Sequence, residues 1–309
     1  MVKSVLVTGK NGQLGQSLQK LVGESSLSQI IPAGIAFVFV GRDELDLACS
    51  DSISAVFGNQ RFDAIVNCAA YTAVDTAESE HRLADQINHI AVAQLAEIAR
   101  QQTIPLIHIS TDYVFSGQGF MPYVETDSTD PQNVYGSTKL KGEQFILASR
   151  CAGAIIRTSW VYSEFGNNFV KTMVRLGKER DSLDVIFDQI GSPTYATDLA
   201  QAVLAVLNAE FSQKHNHQSL ESERSTVNLY HFSNEGVCSW YDFAKAIFEM
   251  SDISCQVNPI ETKDYPTPAK RPHYSVINKT KIKHDVPGLL IPHWRDSLKI
   301  CLKELEVTP

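Results

Sequence analysis

Ser4-Val5-Leu6-Val7-Thr8, with the Gly9-Lys10-Asn11-Gly12-Gln13-Leu14-Gly15 that follows it, decides the fold of this chain. The first five residues are a short apolar run and read as a buried strand; past Gly15, the apolar residues Leu18, Leu21 and Val22 recur at helical spacing. A strand, a glycine turn and a helix in this order make a βα unit. The glycines permit a tight turn, close approach of backbone amides to a pyrophosphate and close packing of helix on strand, with the helix N-terminus facing the anion. The spacing is Gly-x-x-Gly-x-x-Gly, not the commoner Gly-x-Gly-x-x-Gly. Read alone, it leaves a plain glycine-rich loop open beside a dinucleotide site.

Outward from this unit, residues 35–40, 63–67, 105–109 and 154–157 read as further strands. A helix is predicted over 81–102, where Ile87, Ile90, Ala91, Leu95 and Ile98 repeat at helical spacing. The alternation predicts the α/β class, a doubly wound, Rossmann-like parallel sheet. Ligands of such sheets bind beyond the carboxyl ends of the strands. That places Gly41-Arg42-Asp43 beside an adenosine ribose, and the small residues Cys68, Ala69 and Ala70 where a cofactor lies against the sheet. A guanidinium in place of an acid suits a 2′-phosphate and favours NADP, the alternative being a surface pair of Arg42 with Asp43 or Glu44.

Asn133-Val134-Tyr135-Gly136-Ser137-Thr138-Lys139 puts a phenol and an ammonium on one face at the start of a predicted helix. A tyrosine titrates near 10 when unperturbed, about three units above neutrality. A neighbouring lysine cation lowers that value and lets Tyr135 exchange a proton with a substrate oxygen. The hydroxyls of the Ser110-Thr111-Asp112 stretch reach the same crevice. Tyr241 and Lys245 repeat the spacing, but Phe243, Ala244, Ile247 and Phe248 form a core stripe on their helix, so that pair reads as structural.

Beyond Ser159 the chain leaves the sheet. A helix over 198–207 and a strand over 228–232 rejoin it, while polar 211–226 reads as a solvated loop; its His215 and His217 lack a cysteine or third histidine at ligand spacing. The expected division is a dinucleotide-binding domain of 1–159, with 197–208 and 227–233, and a smaller, discontinuous C-terminal substrate domain of 160–196 and 234–309. A net charge of −8 leaves no positive surplus for a phosphate backbone, which argues against a nucleic-acid partner. The first apolar run stops at Thr8, too short for a membrane span, so no membrane and a cytoplasmic location are expected. Six cysteines without zinc spacing read as free, buried thiols.

With Tyr71-Thr72-Ala73-Val74-Asp75, Ser110-Thr111-Asp112-Tyr113-Val114-Phe115, Arg157-Thr158-Ser159-Trp160-Val161-Tyr162, Gly166-Asn167-Asn168-Phe169 and Tyr265-Pro266-Thr267-Pro268, the chain resembles an extended short-chain dehydrogenase/reductase almost end to end. It is most similar to the dTDP-4-dehydrorhamnose reductases. The resemblance implies reduction of the C4 ketone of dTDP-4-dehydro-L-rhamnose by NADPH, with NADH second. Tyr135 is then the proton donor, Lys139 lowers its pKa and holds the nicotinamide ribose, and Thr111 supplies the third catalytic group. Cofactor contacts are implied at Gly9, Asn11, Gly12, Gln13, Leu14, Gly15, Arg42, Asp46, Leu47, Cys68, Ala69, Ala70, Tyr135 and Lys139. Substrate contacts are implied at Val74, Thr111, Trp160, Asn168 and Arg271, the last because guanidinium suits a diphosphate.

Two other readings share this resemblance: a nucleotide-sugar epimerase or dehydratase on the same scaffold, and a non-catalytic regulatory subunit of the methionine adenosyltransferase type. Some reductases of the family join subunits through Mg2+ held by carboxylates. Here Gln16-Ser17 and Thr197 stand at two of those places and Glu304 at the third. Neutral groups hold Mg2+ poorly, so no metal is expected, and the chain is a monomer or a weak homodimer.

Overall fold

The structure, a computed structural model, describes residues 2–23, 34–216 and 227–307. In the first half, strands β1 (Lys3–Thr8), β2 (Ile35–Val40), β3 (Ala64–Asn67), β4 (Leu106–Thr111) and β5 (Gly153–Thr158) alternate with helices α1 (Gln13–Gly23), α2 (Ser50–Asn59), α3 (Val74–Ala77), α4 (His81–Asp85), α5 (Ala91–Gln102) and α6 (Val134–Ser149). The second half has short strands β6 (Val161–Tyr162), β7 (Ser182–Ile186), β8 (Ile190–Gly191) and β9 (Thr194–Tyr195), then β10 (Val227–His231), β11 (Cys238–Ser239) and β12 (Gln256–Ile260). Its helices are α7 (Phe169–Glu179), α8 (Ala196–Asn216), α9 (Trp240–Met250), α10 (Thr280–Asp285) and α11 (Trp294–Val307).

Six strands pair in the order β10-β5-β4-β3-β1-β2, every pair parallel, so the sheet is doubly wound as the alternation predicts. A parallel sheet needs cover on both faces. Alternate residues supply it: Val5 and Val7 pack with α1 and α8 on one face, Leu6 with α2 and α5 on the other. The order turns back at β1, whose neighbours are β2 and β3. That reversal leaves a crevice at the carboxyl ends.

Four expectations change. The helix over 81–102 is interrupted by a π-helical turn, Gln86–Ile90, whose extra residue shifts the helical phase. Ile90 is consequently exposed, while Asn88 is buried and its side chain bonds both backbone groups of Tyr71 and the Thr138 hydroxyl. The helix expected at 198–207 runs to Asn216, because Leu199, Val203, Leu207 and Phe211 continue its buried stripe; residues 217–226 of the expected loop, with His217, lie outside the described residues. Ile282 and Val286, inside the segment assigned to the substrate domain, pack on the α1–α8 face of the sheet. A separate core gathers Tyr162, Val170, Met173, Phe243, Ile247 and Trp294. All six cysteines are free, but Cys49 is exposed and Cys68 half-buried.

Candidate active site

A cleft of about 890 Å³ opens at the carboxyl ends of β1 to β5. Its floor is the glycine turn. Gly9 has φ +75°, and a Cβ there would lie 2.8 Å from the Ala69 nitrogen; a Cβ on Gly15 would lie 2.1 Å from the Gly9 oxygen. These two glycines are dictated by the packing of turn, strand and helix. Gly12 differs: its nearest neighbour would be the Gly9 oxygen at 3.3 Å, and it lines the cleft. The conflict is milder there than at Gly9 or Gly15, and the missing side chain leaves the cleft open at that point.

β4 and α6 bring Thr111, Tyr135 and Lys139 to one wall of the cleft. Asn133 starts α6 by accepting a hydrogen bond from the Gly136 N–H at 2.8 Å, which fixes Tyr135 in the first turn. Burial pushes the Tyr135 phenol up to about 12, the Thr111 hydroxyl draws it back and Asp112 adds to the rise. Thr111 also donates to the Asp112 carboxylate at 3.0 Å.

The expected lowering of Tyr135 by Lys139 is not what the geometry holds. Lys139 is buried; its Nζ donates to the Ile109 carbonyl at 2.6 Å and lies 3.1 Å from His108 Nε2. Burial brings its pKa down to about 8, against opposing contributions from Glu143 and Cys68. The strand behind α6 offers these partners, and they turn the ammonium inward.

Around the rim, Asn11, Leu14, Asp46, Leu47, Cys68, Ala69, Ala70 and Val74 line the cleft, whereas Gly15 does not. Arg42 also lines it, with its side chain 75% exposed and a loose 3.4 Å contact to Asp46. Glu44 pairs with Lys10 instead of Arg42. Gln13 faces the second half of the chain: its Oε1 accepts from Ser163 Oγ at 3.0 Å and from Asn168 Nδ2 at 2.9 Å. Asn168 caps α7 through Lys171 N and donates to the Ser163 carbonyl, so its amide is spent on structure although it borders the cleft. Arg271 does not line the cleft; both its terminal nitrogens grip Asp75, at 3.0 and 2.7 Å.

Trp160 sits over the far end with φ +48°, a left-handed backbone that costs a non-glycine residue about 1–2 kcal/mol. Its indole is stacked on Trp240, centroids 3.6 Å apart and planes 9° from parallel. Such strain held by packing is characteristic of functional positions. Nothing in the sequence marks Trp240 as its support. His108, a polar residue inside β4, and Asn67, the polar end of β3, also went unremarked. Ser110 Oγ and Asp112 Oδ2 are buried in this wall with no hydrogen-bond partner among the described residues, and burial lifts Asp112 to about 7.

A parallel sheet with this order, a glycine turn after β1, and Thr111, Tyr135 and Lys139 gathered beyond β4 define an extended short-chain dehydrogenase/reductase scaffold. The chain belongs to the RmlD substrate binding domain family, whose profile matches residues 3–307. A dTDP-4-dehydrorhamnose reductase of Aggregatibacter actinomycetemcomitans is 39% identical over 302 residues, which cover 96% of this chain and 97% of the relative. The spore coat polysaccharide biosynthesis protein SpsK of Bacillus subtilis (strain 168) is 38% identical over 300 residues, 97% of each chain. The crystal structure of a dTDP-4-dehydrorhamnose reductase from Bacillus anthracis str. Ames in complex with NADP is 38% identical, with a TM-score of 0.83, covering 98% of this chain and 100% of that one.

Proposed function

We propose that this chain reduces the C4 ketone of dTDP-4-dehydro-L-rhamnose to the alcohol of dTDP-L-rhamnose, using NADPH. The observation that carries the reading is the convergence of Thr111, Tyr135 and Lys139 on a cleft floored by the glycine turn, in a chain similar over nearly its whole length to reductases of that name. The residues present fit a dinucleotide. Gly12 leaves room for a diphosphate, the N-terminus of α1 faces it, and Arg42 reaches from the end of β2 toward a 2′-phosphate. NADPH supplies the hydride when bound.

The chain's own part is position and proton. Tyr135, its phenol kept protonated by burial, gives its proton to the forming alkoxide, and Thr111 holds that oxygen in line. Lys139 holds the nicotinamide ribose. Trp160 and Val74 meet the sugar. Arg271, released from or shared with Asp75, and Asn168 lie toward the nucleotide. In this reading residues 1–159, with α8 and β10, carry the cofactor, and 160–196 with most of 234–309 carry the sugar nucleotide. Among the described residues no helix is long and apolar enough to cross a membrane. Six free cysteines accord with a reducing cytoplasm, and we take the protein as a monomer or weak homodimer.

The test is absorbance at 340 nm with NADPH and dTDP-4-dehydrorhamnose. A steady, stoichiometric fall is expected. Conversion of the sugar without net cofactor loss would instead indicate an epimerase or dehydratase, and no conversion at all a regulatory subunit.

A further inference from the structure

The backbone around Trp160 is fixed to one neighbouring segment. Ser159 Oγ donates to the Ser192 carbonyl at 2.8 Å, and the Trp160 carbonyl accepts the Thr194 N–H at 3.1 Å. With the left-handed backbone held in this way, only the side-chain torsions could move the indole where it lines the cleft. A half-buried side chain on a cleft wall ordinarily keeps several rotamers, and ordering it is a cost that any ligand must meet.

Two contacts remove that freedom. The Trp240 indole lies nearly parallel to that of Trp160 with centroids 3.6 Å apart, so one face of Trp160 is covered and closed to any ligand. At the ring edge, a Cβ on Gly191 would lie 2.7 Å from Trp160 Cε2 and 2.8 Å from both Trp160 Cζ2 and Ser275 Oγ. The backbone of Gly191 is not left-handed, so glycine serves there by leaving room for these neighbours. Trp240 is itself anchored. β11 pairs with β8, which sets Cys238 opposite Gly191, and Ser239 and Asp242 close a capping box at the start of α9, whose first residue is Trp240. Phe169 of α7 contacts Trp240 at 4.6 Å and stacks on Phe243 at 5.6 Å, between centroids, which carries the column into the core of the second half. Aromatic pairs of this kind stabilise beyond the area they bury.

We propose that Trp240 and Gly191 are positioning residues for the sugar nucleotide, which hold the Trp160 indole in its binding orientation before any ligand arrives. Neither lines the cleft; both act through Trp160. The ordering cost of the indole is met during folding, by the stack and by the space over Gly191, and so does not fall on the ligand. The cofactor end of the cleft, at the glycine turn and Arg42, makes no use of this column. Loosening Trp160 should therefore weaken the sugar nucleotide and spare NADPH. The identity of the ligand rests on the proposed function; the held indole does not.

The test uses the full chain and needs no turnover. With 5-fluorotryptophan at the three tryptophans, the Trp160 19F resonance, assigned by its loss in Trp160→Phe, is expected as one line displaced by the ring current of Trp240. In Trp240→Leu, and separately in Gly191→Ala, that line should shift or broaden. The Kd for dTDP-L-rhamnose should rise about tenfold in both, while the Kd for NADPH stays near that of the parent. Trp240→Phe keeps an aromatic face and should recover most of the affinity; it also serves alone, through the movement of the line, if the other two variants do not fold. Several Trp160 lines in the parent, or a line unmoved by the substitutions, overturn the held indole. A line that moves with no loss of dTDP-L-rhamnose affinity, or with an equal loss for NADPH, overturns its part in binding. A parent that binds no dTDP-L-rhamnose strikes the proposed function and the ligand named here, and leaves the held indole to be judged by the spectra.

Discussion

At the scale of single residues, Tyr135 carries the sharpest prediction. Tyr135→Phe removes one hydroxyl and leaves the ring packed edge-on against Tyr113, centroids 5.5 Å apart. It should cut kcat by about 10²–10⁴-fold, the usual contribution of a positioned proton donor, while the Kd for NADPH in a fluorescence titration barely moves. Turnover close to that of the parent would remove Tyr135 from the chemistry. Arg42 makes a second case. Its guanidinium is mostly exposed and only loosely held by Asp46, so Arg42→Ala should cost little stability but weaken NADPH about tenfold, near 1.4 kcal/mol, with NADH almost unaffected. Equal losses for both cofactors would count against the 2′-phosphate contact. Both proposed roles could be read from the sequence because they rest on local position, one in a Tyr-x-x-x-Lys helix start and the other just past a strand. The true neighbours of Lys139 were not. His108 is separated from it by 31 positions and Asn67 from His108 by 41, and only the sheet register aligns them. The partner of Arg271 was hidden for the same reason: Asp75, which its guanidinium grips, is separated from it by 196 positions.

At the scale of elements, the alternation of strand and helix was legible almost throughout, since burial on both faces makes parallel strands read as plain apolar runs. What escaped was phase and length. The π turn at Gln86–Ile90 adds a residue without breaking the apolar pattern, so Ile90 looked like core and is exposed; α8 outlasted its expected end because polar residues on an exposed face resemble a loop. The glycine turn separates two kinds of constraint that one motif hides, and a pair of variants exposes the difference. Gly15→Ala places a methyl 2.1 Å from the Gly9 carbonyl and should destabilise the fold by at least about 1–3 kcal/mol, the cost of overpacking, seen as a lower midpoint in urea. Gly12→Ala meets only a 3.3 Å contact. Its urea midpoint should stay near that of the parent while its affinity for NADPH falls. Loss of stability in Gly12→Ala comparable to that in Gly15→Ala would mean that Gly12 is a packing glycine after all.

At the scale of the whole molecule, the first βα unit is fastened to the second half of the chain by side chains, and this bears on the metal. Gln13 reaches Ser163 and Asn168, and Lys20 of α1 places its ammonium between Glu164, at 3.0 Å, and Glu304 of α11, at 2.6 Å. Glu164 is buried and also accepts from Tyr195 Oη at 3.0 Å. Two carboxylates brought together from distant segments need a cation, and this chain carries its own. Burial works against the charge on Lys20, but Glu304 and Glu164 outweigh it and raise its pKa above 10.5. A raised lysine contributes its full stability below the unfolded-state value and loses it only as pH climbs through the folded-state value, so the clasp is intact at neutral and mildly alkaline pH. Lys20→Met should destabilise the protein by about 3 kcal/mol, the low end for stripping one partner from a buried pair, because Lys20 and Glu304 are partly exposed. The parent enzyme, with its cation covalently present, should keep its activity and its mass by light scattering when EDTA is added. If chelation abolished turnover and halved the mass, a divalent ion would be bridging subunits, and Lys20 would have to be reread as a bystander to that site.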